Sequence, residues 1–352
     1  MGLENRKTTY LITGATGYIG LQVARKLFAS DVFNEGGIKV ILHCRNKEKY
    51  NIMYQDMYEK EGVFPLFSDI TDIKETIKLC KQTACIDKID YIIHCASNTT
   101  SSYMISNPVE TIDGIVAGTK AVLELAKVEN VKSMVYLSSM EVYGNIACTP
   151  DNRATEDMLG YIDILKPRSS YPLGKRMAEG YCAAYADEYG VPVKIARLAQ
   201  TFGKGILPNE NRSFAQFVRA AAEGRDIVLK TEGKSIGNSV SIEDALDAIF
   251  FLLENGENGQ AYNVVNEKNT MSIKEMAELV ARSIGKDKMK VVIDVEDASK
   301  TGYAADTRLY MSGEKLRNLG WEAKKGIEEM FFDVYNVINN LCEKKNGESN
   351  EQ

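Results

Sequence analysis

Residues 8–13 (TTYLIT) run into Gly14-Ala15-Thr16-Gly17-Tyr18-Ile19-Gly20 and then into the amphipathic stretch YIGLQVARKLFAS. A short buried strand, a glycine turn and a helix start, in that order, constrain the fold more tightly than anything else in the chain. Gly14 permits the turn, Gly17 a close approach to the backbone, and Gly20 close packing of the helix on the sheet. The turn then presents backbone N–H groups and a positive helix end to an anion such as a pyrophosphate. Gly14, Thr16, Gly17, Tyr18, Ile19 and Gly20 are therefore the candidate cradle of a dinucleotide.

The pattern then repeats. Strand-like runs at 38–44, 63–67, 90–97 and 133–139 alternate with helical patterns at about 72–84, 108–130 and 171–190. Such alternation predicts an α/β protein with a Rossmann-type, doubly wound parallel sheet covered on both faces. Ligands in such sheets lie beyond the carboxyl ends of the strands. Gly14–Gly20, Arg45, Asp69, Ala96 and Ser139 all fall at those ends. No Asp or Glu stands at the end of the second strand to hold a ribose 2′-hydroxyl, whereas Arg45 can accept a 2′-phosphate. The cofactor expectation is NADP or NAD, leaning to NADP.

Within YPLGKRMAEGYCAAYADEYG, Tyr171 and Lys175 are four residues apart, one turn above another on one helix face. A phenol ionises near pH ~10, and a fixed ammonium beside it favours the phenolate. That pairing suits a group that exchanges a proton at neutral pH. An exposed Tyr/Lys helix face is the bland reading of the same spacing, and the surrounding motifs weigh against it.

Bulk properties exclude several classes. With 44% apolar and 26% charged residues the chain has the composition of a globular protein, and its net charge of −6 argues against nucleic-acid binding. No apolar run approaches ~18 residues, so no membrane span is expected. The N-terminus lacks a signal-like apolar core, and Arg6 stands where myristoylation wants Ser or Thr. The seven cysteines (44, 80, 85, 95, 148, 182, 342) are odd in number and irregular, and Cys80 and Cys85 have no second pair for zinc. Free thiols in a cytoplasmic protein is the expectation. His43 and His94 are the only histidines, both in apparent strands, so no metal site is expected.

TGATGYIG, HCAS, LSSMEVYG and Tyr171-x-x-x-Lys175, in this order, resemble the extended short-chain dehydrogenase/reductase superfamily, in its nucleotide-sugar epimerase/dehydratase branch. The resemblance runs from about residue 8 to 335. It includes RLAQTFG from Arg197, VSIEDAL from Val240 and NLGW from Asn318. It implies that Ser139, Tyr171 and Lys175 are a catalytic trio. Ser139 would bond the reacting sugar oxygen, Tyr171 would move its proton, and Lys175 would bind the nicotinamide ribose. Asp69 and Ile70 would border the adenine, and Cys95, Ala96 and Ser97 the nicotinamide side. Glu141 would be a second base, as in the similar turn of nucleotide-sugar decarboxylases. The resemblance also implies a nucleotide-sugar substrate and a homodimer formed by the helices at 108–130 and 171–190.

The chain departs from the family pattern at several positions. Met140 stands where 4,6-dehydratases carry a proton-donating acid. Gly237 stands where an Arg usually contacts the diphosphate, leaving Lys204, Arg212, Lys234 and Arg308 as candidate cations. Ile115 and Gln200 replace two usual Asn residues, the first of which would support Lys175.

The expected organisation is a dinucleotide-binding domain over 1–203, with 237–261 returning to it. A smaller α/β substrate-binding lobe would span 204–236 and 262–342, and the polar tail 343–352 reads as disordered. The leading functional expectation is an epimerase/dehydratase-type oxidoreductase that makes a transient keto sugar with Tyr171 as acid/base. The alternatives are an NADPH-dependent ketoreductase, a nucleotide-sugar decarboxylase using Glu141, and a cofactor-sensing regulator without chemistry.

Overall fold

The computed structural model describes residues 7–57, 60–83, 86–208, 210–286, 288–295 and 306–348. Cys85 and the side chain of Cys342 lie outside them. Chain order is β1 (Thr8–Thr13), α1 (Tyr18–Phe28), β2 (Ile38–Cys44), β3 (Val63–Phe67), α2 (Ile73–Gln82), β4 (Tyr91–His94), α3 (Pro108–Glu129), β5 (Ser133–Ser139), α4 (Ser170–Tyr189) and β6 (Val193–Leu198). There follow β7 (Gln200–Phe202), α5 (Ser213–Ala222), β8 (Ile227–Leu229), β9 (Ile236–Ser241), α6 (Ile242–Asn255), β10 (Ala261–Val264), β11 (Asn266–Ser272), α7 (Ile273–Ser283), β12 (Val291–Ile293) and α8 (Ile327–Glu348). Short helical turns intervene.

Contacts divide the chain into two compact units, the first made of 1–144, 161–197 and 246–262. Its sheet has the order β10-β6-β5-β4-β1-β2-β3, a doubly wound Rossmann arrangement in which strand order reverses at β1. β1 pairs in parallel with both β2 and β4, and Thr13 is level with His43 on one side and His94 on the other. Three strand ends thus finish at one height. The central strands are largely buried, whereas edge strand β3 buries only Leu66, and α3 and α4 close one core against the sheet through Ile115, Val122, Leu125, Ala178, Cys182 and Tyr185. Pro108 opens α3 and Pro172 lies in the first turn of α4, where no intrahelical N–H is lost. α4 ends at Gly190, whose φ of +67° is the left-handed cap that glycine adopts without strain.

The second unit comprises 145–160, 198–245 and 263–352. It holds the sheets β11-β9-β7 and β12-β8, and a Ser272/Glu275 capping box starts α7. The sequence-based boundaries need correction here. Residues 145–160 belong to this unit, where Ala154 pairs with Met311. β9 pairs with β7 and β11, so 237–245 does not return to the large sheet; β10 supplies that sheet's seventh strand. Nor is the polar tail irregular from residue 343. The α8 backbone stays helical to Glu348, with the good helix formers Glu343, Lys344 and Lys345 opening this stretch, and residues 349–352 lie outside the described residues.

Candidate active site

The glycine turn is built by contact. Gly14 has φ +66°, and a Cβ there would lie 2.7 Å from Cα of Ala96, so the ends of β1 and β4 touch where only glycine fits. A Cβ on Gly20 would sit 2.4 Å from the carbonyl oxygen of Gly14, which is why α1 can start directly on the turn. Gly17 is less confined by the protein, with Gly14 O at 3.2 Å from its Cβ position, and it starts α1 without any side-chain cap. Gly17 N donates to Gly14 O at 2.8 Å. Thr16, Tyr18 and Ile19 complete this corner.

At the neighbouring strand ends the histidines are framework. Thr13 Oγ1 bonds His94 Nδ1 at 2.6 Å and accepts from Ala96 N at 3.3 Å, and His94 Nε2 bonds Thr119 Oγ1 at 3.2 Å. Burial, then the nearby Lys175 charge, lowers His94 to about 3, so its ring is neutral. Burial likewise lowers His43 to about 4, and its Nε2 bonds Ser68 Oγ at 2.9 Å. No group of His, Cys, Asp or Glu among the described residues is arranged for a metal ion. Burial pushes the Cys95 thiol up to about 12, which leaves it an inert packing group.

Arg45 is exposed and stands 3.9 Å from Asp69, a loose pair in water. Asp69 is engaged by its own turn, accepting from Thr71 N at 2.9 Å and Thr71 Oγ1 at 2.8 Å, and these bonds hold its carboxyl below the usual range. Ile70 is buried in the core cluster.

Lys175 is the most constrained group. It is 3% exposed, its Nζ donates to Leu137 O at 2.7 Å, and it lies 5.7 Å from the Tyr171 ring centre and 4.8 Å from that of Tyr136. Burial lowers its pKa to about 8 against the opposing pull of Glu179. Ile115, where a polar residue would support Lys175, instead packs its Cδ1 3.2 Å from the Cβ position of Gly174. The carbonyl of Leu137 holds the ammonium in its place.

Ser139 ends β5 and caps the 3-10 turn Met140–Tyr143, accepting from Glu141 N at 3.2 Å. Glu141 is ion-paired: Arg168 Nη2 donates to its Oε1 at 2.9 Å, with both side chains about one-third exposed. Beneath the turn, buried Arg197 bonds both carboxylate oxygens of Glu179. Burial alone would lower the Arg197 guanidinium, yet the bonds to Glu179 outweigh it and raise the net value. Sequence reasoning did not single out Arg168 or Glu179, the partners of Glu141 and Arg197. The four-residue step from Lys175 to Glu179 was a usable signal, and Arg168 had none.

Arg212 and Lys234, both in the second unit, are ion-paired with Glu210 and Glu232. Arg308 is exposed and makes no ion pair with a described residue. Lys204 is exposed. Around Gly237 the Cβ position is open, so packing does not require glycine there. Gln200 lies in β7 beside Ser239.

This constellation fits a bound nicotinamide dinucleotide. The Gly14–Gly20 corner brings backbone to where side chains would otherwise stand, with Gly17 the least confined of its three glycines, and the buried hydroxyl of Ser97 has no partner among the described residues. No helix among the described residues is long and apolar enough to cross a membrane.

A family model described as NAD dependent epimerase/dehydratase family matches residues 10–266. UDP-glucuronic acid decarboxylase 1 of Danio rerio is 27% identical over 285 residues, 79% of this chain and 61% of that protein. The chain thus spans about three-fifths of the length of that curated relative. Two solved structures share the fold. UDP-glucuronic acid 4-epimerase from Bacillus cereus, in complex with UDP-glucuronic acid and NAD, has TM-score 0.75 and 19% identity, with 95% of this chain and 100% of that one covered. RMD from Pseudomonas aeruginosa, complexed with NADPH, has TM-score 0.72 and 20% identity, covering 95% and 99%.

Proposed function

The chain belongs to the NAD dependent epimerase/dehydratase family, and from that premise we propose that it is an NAD(P)-dependent oxidoreductase acting on a nucleotide-activated sugar through a transient keto sugar. The observation that carries this reading is a buried ammonium, Lys175, beside the ring of Tyr171 in the unit that also carries the tightly packed glycine turn. The nicotinamide, when bound, supplies reversible two-electron oxidation of a sugar carbinol. Gly14, Thr16, Gly17, Tyr18, Ile19 and Gly20 hold the pyrophosphate side of the cofactor. Asp69 and Ile70 border its adenine, and Cys95, Ala96 and Ser97 its nicotinamide side.

Tyr171 accepts the carbinol proton at its phenol oxygen and gives it back, with Lys175 supplying the adjacent positive charge. Ser139 bonds the reacting oxygen. Its present bond from Glu141 N uses only acceptor capacity, so its hydroxyl hydrogen remains available to a ligand. Glu141 is the second base, held by Arg168. Arg45 gives preference for NADP over NAD. A homodimer forms through α3 and α4, on which the apolar side chains of Val109, Ile112 and Met177 face outward, and the protein works in the cytoplasm.

Two further readings each have an observation in favour. An NADPH-dependent ketoreductase is favoured by Arg45, since a reductase draws reduced cofactor from solution. A nucleotide-sugar decarboxylase is favoured by Glu141. The deciding experiment is turnover of purified protein with a panel of sugar nucleotides, together with native mass spectrometry for retained cofactor and chain number. Tyr171→Phe is expected to cut turnover by about 10²–10⁴-fold; unchanged turnover with every accepted substrate ends the reading. Stoichiometric NADPH consumption selects the reductase, and release of carbon dioxide the decarboxylase.

A further inference from the structure

The step of four residues that joins Tyr171 to Lys175 continues to Glu179, which places all three on one face of α4. The strand beside them answers in step. Leu137 O accepts from Lys175, and the hydroxyl of the next residue, Ser138, donates to Glu179 Oε1 at 2.5 Å. Ser139 follows. Arg197, from β6, bonds Glu179 through Nε (3.0 and 3.2 Å) and Nη2 (2.8 Å), and its Nη1 donates to the hydroxyl of Tyr143 at 3.2 Å. Ser138, Tyr143, Glu179 and Arg197 are each more than nine-tenths buried.

We propose that Glu179 and Arg197 are positioning residues for the reaction: one buried ion pair holds both ends of the Ser139–Val142 turn against the helix that carries Tyr171 and Lys175. This inference rests on the catalytic reading of those residues given above. The turn leaves the pair at Ser138 and returns to it at Tyr143, so its height above α4 is fixed at two points. Arg176 adds a third link, donating through Nε to Val142 O at 2.7 Å. Buried ion pairs contribute little net stability relative to apolar packing of the same shape, whereas bidentate arginine–carboxylate bonding is strongly directional. What such a pair provides here is register. Glu179 is also the strongest of the influences that oppose burial at Lys175, ahead of the thiols of Cys95 and Cys182.

Truncating Glu179 or Arg197 leaves an unpaired buried charge and risks the fold, so the test uses Ser138→Ala and Tyr143→Phe, which each remove one link and keep the pair. Expected in each is a kcat lower by about tenfold or more, with the sugar-nucleotide KM and cofactor Kd changed less than about twofold. A lowered melting temperature with unchanged kcat reduces the pair to a structural bolt and overturns the proposal. A substrate-free arm separates this from the functional reading. In protein carrying ¹³Cζ-tyrosine, the Tyr171 signal is assigned by its loss in Tyr171→Phe and titrated in both variants. Its midpoint is expected to move by roughly half a pH unit or more as Lys175 and the turn shift, and an unmoved midpoint in both variants refutes positioning. If the wild-type protein turns over no sugar nucleotide, the functional reading fails while the titration still decides this one.

Discussion

Lys175→Met tests whether the buried ammonium is kept for chemistry at the expense of the fold. The ammonium is 3% exposed, and burial brings its pKa from 10.5 to about 8. At about 1.4 kcal/mol per factor of ten, holding that charge in the folded state costs about 3 kcal/mol. The substitution removes the charge and keeps most of the side-chain volume, but it forfeits the bond to Leu137 O, worth about 1 kcal/mol. The expected balance is a variant more stable by about 2 kcal/mol at pH 7 and without turnover. The sign with pH follows from linkage. Below pH 8 the lysine is protonated in folded and unfolded chains alike, and the full cost is present. Between about pH 8 and 10.5 the unfolded chain binds more protons, so wild-type stability gains on the variant as pH rises. Urea denaturation of both cofactor-free proteins at pH 7 and near pH 10 measures this, since groups common to both cancel in the difference. A variant less stable than wild type at pH 7, or a difference that does not shrink toward pH 10, refutes the reasoning.

Gly20→Ala forces a Cβ against Gly14 O at 2.4 Å, and is expected to destabilise by about 1–3 kcal/mol and to abolish cofactor binding in a fluorescence titration. Gly17→Ala, with 3.2 Å available, is expected to fold with a small loss of melting temperature and still bind cofactor weakly. Arg45→Asp is expected to lower the NADP-to-NAD preference by about tenfold or more, read as the ratio of dissociation constants; an unchanged ratio removes Arg45 from cofactor choice. Gly237→Arg enters open space, so its effect on stability is expected within about 0.5 kcal/mol. It should lower the KM for a sugar nucleotide, and a raised KM would show that the diphosphate is held from elsewhere.

The large sheet was legible because its strands are near-continuous apolar runs bounded by turn residues, and β1 to β5 fall where those runs lie. What escaped had weaker physics behind it. β10, AYNV, is four residues long and carries too little pattern to be assigned to any sheet. β9, IGNSVS, was attached to the wrong sheet because its polar, short side chains say nothing about which neighbours take its backbone bonds. The lobe boundary at 145–160 depends on pairing with Met311, a partner more than 150 residues away.

Side-chain spacing pointed to Tyr171 and Lys175 as candidates, and the family resemblance to Ser139, but neither could register bonds that end on the backbone. Ile115 illustrates the consequence. Read as a sequence, an apolar residue in place of Asn removes a support from Lys175. In the fold, Ile115 packs against Gly174, and the ammonium takes the carbonyl of Leu137 and the face of Tyr136. A carbonyl carries no residue identity, so position 137 contributes the same acceptor whatever its side chain. Ile115→Asn therefore sets two donors and an acceptor inside an apolar contact whose polar need is already met. It is expected to destabilise the chain by about 1–3 kcal/mol without raising turnover. A gain in turnover from Ile115→Asn would mean that the backbone carbonyl is the poorer anchor and that the departure at 115 carries a functional cost.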